Sequence, residues 1–146
     1  MTIVVQDEPR GFGHTVHLAR EFIEDEPVLL MVSDHLYVDD DPTDSSAAQI
    51  CQAAETHDCS VSVVQATHEG KLRSFGAVGG TLNESMDGLY QITKVLEKPT
   101  PTLAEQEILV PGLRQARYLC YFGIHVLSPE IMNGLVELLA QSRAVR

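Results

Sequence analysis

Short apolar or β-branched runs alternate along this chain with segments whose apolar residues recur every three or four positions. That alternation restricts the fold more than any other feature. Ile3–Gln6, Val28–Val32, Cys59–Ala66, Phe75–Thr81, Leu89–Leu96 and Tyr118–Leu127 read as strands. Gly13–Ile23, Ala47–His57, Thr102–Leu109 and Ile131–Leu139 read as helices. Asp44 or Ser45 is placed to cap the second helix and Ser128 the last, with Glu130 in its first turn, while Asn83–Gly88 reads as a turn or hairpin. Val28–Val32 is apolar at every position, the pattern of a strand covered on both faces. The expected fold is therefore an α/β layered one with a mostly parallel sheet. With 146 residues, no repeat and no low-complexity segment, one domain is expected over 1–146.

Composition excludes several classes. Ten Lys plus Arg stand against 21 Asp plus Glu, a formal net charge of -11, which argues against a phosphate-backbone binder of nucleic acid. Residues 21–44 hold nine of the acids and no Lys or Arg. Apolar runs such as Val28–Val32 are far below the roughly 20 residues of a membrane helix, and MTIVVQDEPR lacks the features of a signal peptide. No membrane partner is expected. The odd set Cys51, Cys59 and Cys120 fits reduced, mostly structural thiols, and a cytoplasmic setting is expected.

Three segments could carry chemistry. Gln6–His14, QDEPRGFGH, joins a predicted strand to a helix. Its glycines would let a ligand near the backbone, and the Gln6 amide both donates and accepts, as a nucleobase edge requires. Turn geometry alone also explains it, and Val16 stands where a dinucleotide fingerprint needs its third glycine. Asp34 follows the apolar run, where a carboxylate suits Mg²⁺ carried with substrate phosphates; a turn residue is the alternative. Asp39-Asp40-Asp41 fails as a calcium loop, since Asp44 and Ile50 occupy its glycine and glutamate positions; it reads as a solvated acidic loop. Glu97-Lys98-Pro99 ends a predicted strand, and this acid and base could take sugar hydroxyls and a phosphate, or simply pair with one another. His14 and His17 share a helix face without a third ligand nearby, so they make no metal centre.

The order of the segments is more specific than any one of them. Gln-x-Glu-Pro-x-Gly-x-Gly-His, then DEP, an apolar strand and Asp34, then Phe75-Gly76, VLEKPTP and YFGIHVLSPEI, resembles the sugar-phosphate nucleotidylyltransferases. Within that family it is most similar to the bacterial UTP–glucose-1-phosphate uridylyltransferases. The resemblance implies a Rossmann-like, three-layer nucleotidyltransferase sandwich that binds UTP, glucose 1-phosphate and Mg²⁺ and releases UDP-glucose and pyrophosphate. Carried over residue by residue, Gln6 and Gly11 would read uracil and Asp34 would hold the metal. Gly76, Glu97 and Gly123 would line the sugar pocket, with Lys98 on the sugar phosphate.

The family's Gly-x-Gly-Thr-Arg loop and its second metal Asp have no counterpart in these residues. The resemblance therefore implies the central part of the domain, truncated at both ends, and doubtful catalysis by the isolated chain. The alternative is a non-catalytic module that keeps sugar-nucleotide binding or an interaction surface. Open sheet edges would favour a homo-oligomer or a complementing chain.

Overall fold

The computed structural model describes residues 1–38, 45–83 and 88–144, the last three by their backbone. The acidic run Asp39–Asp41, the candidate cap Asp44 and residues 84–87 of the expected turn lie outside the described residues. In chain order the elements are α1 (Phe12–Leu18), β1 (Val28–Met31), α2 (Ser46–His57), β2 (Val61–His68), β3 (Gly76–Leu82), β4 (Tyr90–Glu97), α3 (Pro101–Glu107), β5 (Arg117–Leu127) and α4 (Pro129–Ala144). Two 3₁₀ turns, Arg20–Phe22 and Glu69–Ser74, complete them. The class is α/β, with a five-stranded sheet in the hydrogen-bonded order β1-β5-β3-β4 and β2 also paired with β5.

The strand pattern differs from expectation in three places. Ile3–Gln6 forms no strand; Ile3 and Val5 are exposed, and β-branched residues favour extended structure only where a neighbouring strand takes up their backbone groups. Val28–Met31 is a strand, but its burial alternates and Leu29 and Met31 face outward, so the run is covered on one face rather than two. β3 pairs antiparallel with β4, as a hairpin across Asn83–Gly88 would, and its ladder with β5 is also antiparallel, where the expected sheet is mostly parallel. The first helix is also shorter than its periodicity. α1 stops at Leu18, and the Ala19 N–H turns to Val16 O at 3.1 Å, which starts the tighter turn Arg20–Phe22.

By packing, the chain divides into residues 1–61 with 125–146, and residues 62–124. In the first unit α1 lies on α4, close enough that a methyl at Gly13 would sit 3.3 Å from Leu135 Cδ2. Arg20 also donates to Asn133 Oδ1 at 2.8 Å. Val16, Ile50, Ala53, Ala54, Val126 and Met132 are buried there. Ser45 caps α2 as expected, its Oγ accepting from the Ala48 N–H at 3.2 Å.

The second unit is built on the β3–β4 hairpin. One face of it and of β5 packs Ala77 and Cys120 with Leu72, Ala104, Ile108 and Tyr118, burying α3 against the sheet. The other face gathers Val78, Leu119 and Val110. Lys94 pairs with Glu107 across β4 and α3, both partly exposed, so the pair adds little stability. Thr100 caps α3, its Oγ1 accepting from the Leu103 N–H at 3.3 Å, with Pro101 at the first helical position. Thr100→Ala is expected to cost about 1 kcal/mol in urea denaturation.

Candidate functional site

The described residues bring the sequence-derived candidates into two groups, each inside its own unit. In the first unit Gln6 is held at the start of α1. Its Nε2 donates to Gly11 O at 3.2 Å and to His14 Nδ1 at 2.8 Å, while its Oε1 accepts from Thr15 Oγ1 at 3.1 Å. Both amide hydrogens are thus engaged and one lone pair of the carbonyl oxygen remains. Gly11 holds φ +96, a region that side chains rarely enter, and so turns the chain from the Gln6 segment into the helix. In the sequence His14 closes the candidate segment and is weighed only as a metal ligand, and Thr15 is not a candidate; their contribution is to fix the Gln6 amide plane, and only the folded i, i+8 and i, i+9 contacts reveal it.

Asp34 lies in the same unit, in an exposed turn three residues beyond the end of β1. An exposed hard-oxygen donor of this kind fits Mg²⁺, which keeps several waters and is commonly bound by one or two carboxylates together with substrate phosphates. No three of the described His, Cys, Asp and Glu side chains converge into a metal cage. The negative charge of Asp34 also acts on Tyr37, whose phenol is pushed above its ordinary value by burial first and by Asp34 second.

In the second unit Gly76 and Glu97 are register partners at the same end of the β3–β4 hairpin. A methyl at Gly76 would lie 3.2 Å from Glu97 Oε2, so the missing side chain is what leaves the carboxylate its place. Lys98 follows in the left-handed conformation, φ 47, and is secured there by its N–H donating to Phe75 O at 3.1 Å. Lys98 Nζ stands 3.6 Å from Glu97 Oε1, and both side chains are more than half exposed. The pair contributes little to stability, leaving an acceptor and a cation together at the surface. Gly123, with φ 72, is buried in β5.

This arrangement offers an amide edge and a lone carboxylate in one unit, and a carboxylate beside an ammonium in the other. The second pair suits a ligand with hydroxyls next to a phosphate, because the carboxylate only accepts and the ammonium only donates.

The nucleotidyl transferase family model matches residues 1–144. UTP–glucose-1-phosphate uridylyltransferase of Streptococcus pneumoniae serotype 4 (strain ATCC BAA-334 / TIGR4) is 30% identical over 135 residues, covering 89% of this chain and 40% of that protein. UTP–glucose-1-phosphate uridylyltransferase 1 of Streptococcus pyogenes serotype M1 is 31% identical over 137 residues, covering 90% and 40%. Among solved structures, a UDP-glucose pyrophosphorylase complexed with UDP-glucose superposes with a TM-score of 0.74 at 23% identity, over 92% of this chain and 46% of that one. A UTP-bound enzyme from Acinetobacter baumannii gives 0.66 at 18% identity, over 86% and 40%. At these identities the superpositions establish the fold. The chain spans about 40% of the length of the curated relatives it matches.

Proposed function

The chain belongs to the nucleotidyl transferase family, and on that premise we propose that it serves the uridylyltransferase reaction that makes UDP-glucose from UTP and glucose 1-phosphate. The observation that carries the reading is the junction of Gly76, Glu97 and Lys98 at one end of the hairpin. There Glu97 would accept the sugar hydroxyls and Lys98 would neutralise the sugar phosphate, with Gly76 and Gly123 lining the pocket. Gln6 and Gly11 would read the uracil edge, through the remaining lone pair of Gln6 Oε1 and the Gly11 backbone.

In the reaction a phosphate oxygen of the sugar phosphate attacks the α-phosphorus of UTP in line. A new O–P bond forms, the bond to the β-phosphate oxygen breaks, and pyrophosphate leaves with that electron pair. The protein's task is to position the two phosphates and offset their mutual repulsion. Asp34 would hold Mg²⁺, which supplies charge neutralisation at the triphosphate when bound. The 146 residues are read as one partial nucleotidyltransferase-like domain acting in the cytoplasm. Exposed apolar residues such as Ile3, Leu29, Met31 and Val95 are consistent with association with a second copy or a complementing chain. Among the described residues no helix is long and apolar enough to cross a membrane.

That the family's Gly-x-Gly-Thr-Arg loop and second metal Asp have no counterpart in these residues favours a second reading, a module that binds the sugar nucleotide without turning it over. Binding is common to both readings and is tested first. Calorimetric titration of the chain with UDP-glucose is expected to show binding that Glu97→Ala weakens about tenfold or more, the cost of about 1.5–3 kcal/mol for a lost charged hydrogen bond. Unchanged affinity in Glu97→Ala would remove the sugar site from this hairpin.

A further inference from the structure

Gly76 and Glu97 have a third neighbour that sequence reasoning did not single out. β3 pairs with β5 through Ala77 opposite Cys120 and Val78 opposite Leu119, so the ladder runs on toward Gly76 beside Tyr121. A methyl at Gly76 would lie 3.1 Å from Tyr121 Cδ2 and 3.2 Å from Glu97 Oε2. An aromatic ring and a carboxylate oxygen therefore close in side by side over Gly76, where a larger residue would push them away. Strand alternation explains the placement: Cys120 turns into the cluster under α3, and Tyr121 turns to the opposite face, half-buried against Val78 and Leu119.

A pyranose has the complementary surface. Its ring faces present C–H groups and its rim presents hydroxyls, so a selective pocket needs an apolar plane next to a hydrogen-bond acceptor. Tyrosine supplies such a plane at small conformational cost because only two side-chain torsions are fixed. We propose that Tyr121 is a specificity-determining residue for the hexose, its ring carrying the apolar face of the sugar while Glu97 takes the hydroxyls. The inference rests on the reading of Glu97 as the sugar site. It assigns the selection of sugar over bare nucleotide to an aromatic residue of β5, beyond the roles given to Gly76, Glu97 and Gly123.

The test titrates the 146-residue chain with UDP-glucose and with UDP by calorimetry, comparing Tyr121→Leu and Tyr121→Phe with the unaltered protein. Leu keeps apolar bulk in the partly buried position and removes the aromatic plane, and circular dichroism melting reports whether each variant is folded. Tyr121→Leu is expected to weaken UDP-glucose about tenfold, the scale of one aromatic contact, while UDP changes by less than about twofold. Tyr121→Phe is expected to restore UDP-glucose affinity. Equal weakening of both ligands would mean a merely structural tyrosine and overturn the proposal. Unchanged UDP-glucose affinity in Tyr121→Leu, with Glu97→Ala still weakened, would overturn it alone. Loss of the Glu97 effect, or no UDP-glucose binding at all, would sink the underlying sugar site and this inference with it.

Discussion

Given UTP, glucose 1-phosphate and Mg²⁺, the 146-residue chain by itself is expected to release no pyrophosphate above background. The reason is quantitative. Phosphoryl transfer offers little covalent work, so the rate depends on groups that hold the triphosphate and offset the charge that develops on it. These residues contain neither a Gly-x-Gly-Thr-Arg loop nor a second metal Asp of the kind that the family resemblance implies. Each such electrostatic element is worth about 3–4 kcal/mol, and two absent together lower the rate by about 10⁵-fold. The prediction is checked with a coupled pyrophosphate assay run on the purified chain and on Asp34→Ala. Turnover by the chain that disappears in Asp34→Ala would show that Asp34 and the phosphates suffice as a metal site. It would also show that the residues in hand hold the triphosphate without the loop. Binding without turnover, the expected pair of results, separates recognition from catalysis: recognition needs the uracil and sugar contacts, whereas catalysis needs the full set of charges around the α-phosphorus.

The legible part of this fold was the part set by local chemistry. The hairpin strands β3 and β4, the helix α3 and the cap at Ser45 lie within a residue or two of where local pattern and turn or capping residues put them. What was not legible depends on pairing. Ile3–Gln6 and Val28–Met31 are both apolar runs, yet only the second found a strand to bond with, and nothing in either run encodes that choice. The antiparallel ladder of β3 with β5 was hidden for the same reason, because strand direction is a property of the connections rather than of the strand. Of the candidate site, Glu97 and Gly76 were found through their motifs, and their position as register partners followed only from the ladder. Tyr121 sits in a run that reads only as a strand, and the alternation set by Cys120 facing α3 reveals which face it takes.

Gly79→Ala combined with Ile108→Ala is expected to unfold the chain or leave it at the margin of stability, and the way the two changes combine is the informative part. At the irregularity between Gly79 and Gly80, where Gly79 pairs with Lys94 and Gly80 with Ile92, β3 passes directly beneath the end of α3. A methyl at Gly79 would lie 2.8 Å from Ile108 Cα, closer than to the Ile108 side chain at 3.1 Å, so the obstacle is backbone. Gly79→Ala alone should cost about 1–3 kcal/mol as the helix end is pushed from the sheet. Ile108 is 1% exposed, and Ile108→Ala alone should cost about 2–5 kcal/mol in lost contacts and cavity. If the clash were with the side chain, truncating Ile108 would make room and the double variant would recover part of the first cost. Because the two nearest atoms, Cα and Cβ, are kept by alanine, truncation relieves only the 3.2 Å approach of Cγ2, and the two costs should add to about 3–8 kcal/mol against the 5–15 kcal/mol that typically holds a domain together. Urea denaturation of the four proteins, followed by circular dichroism, measures the cycle. A double variant more stable than Ile108→Ala would show that the side chain, not the backbone, sets the approach of α3 to β3. Additivity would instead fix Gly79 as the residue that allows this helix to seat, and with it the hairpin on which Gly76 and Glu97 face each other.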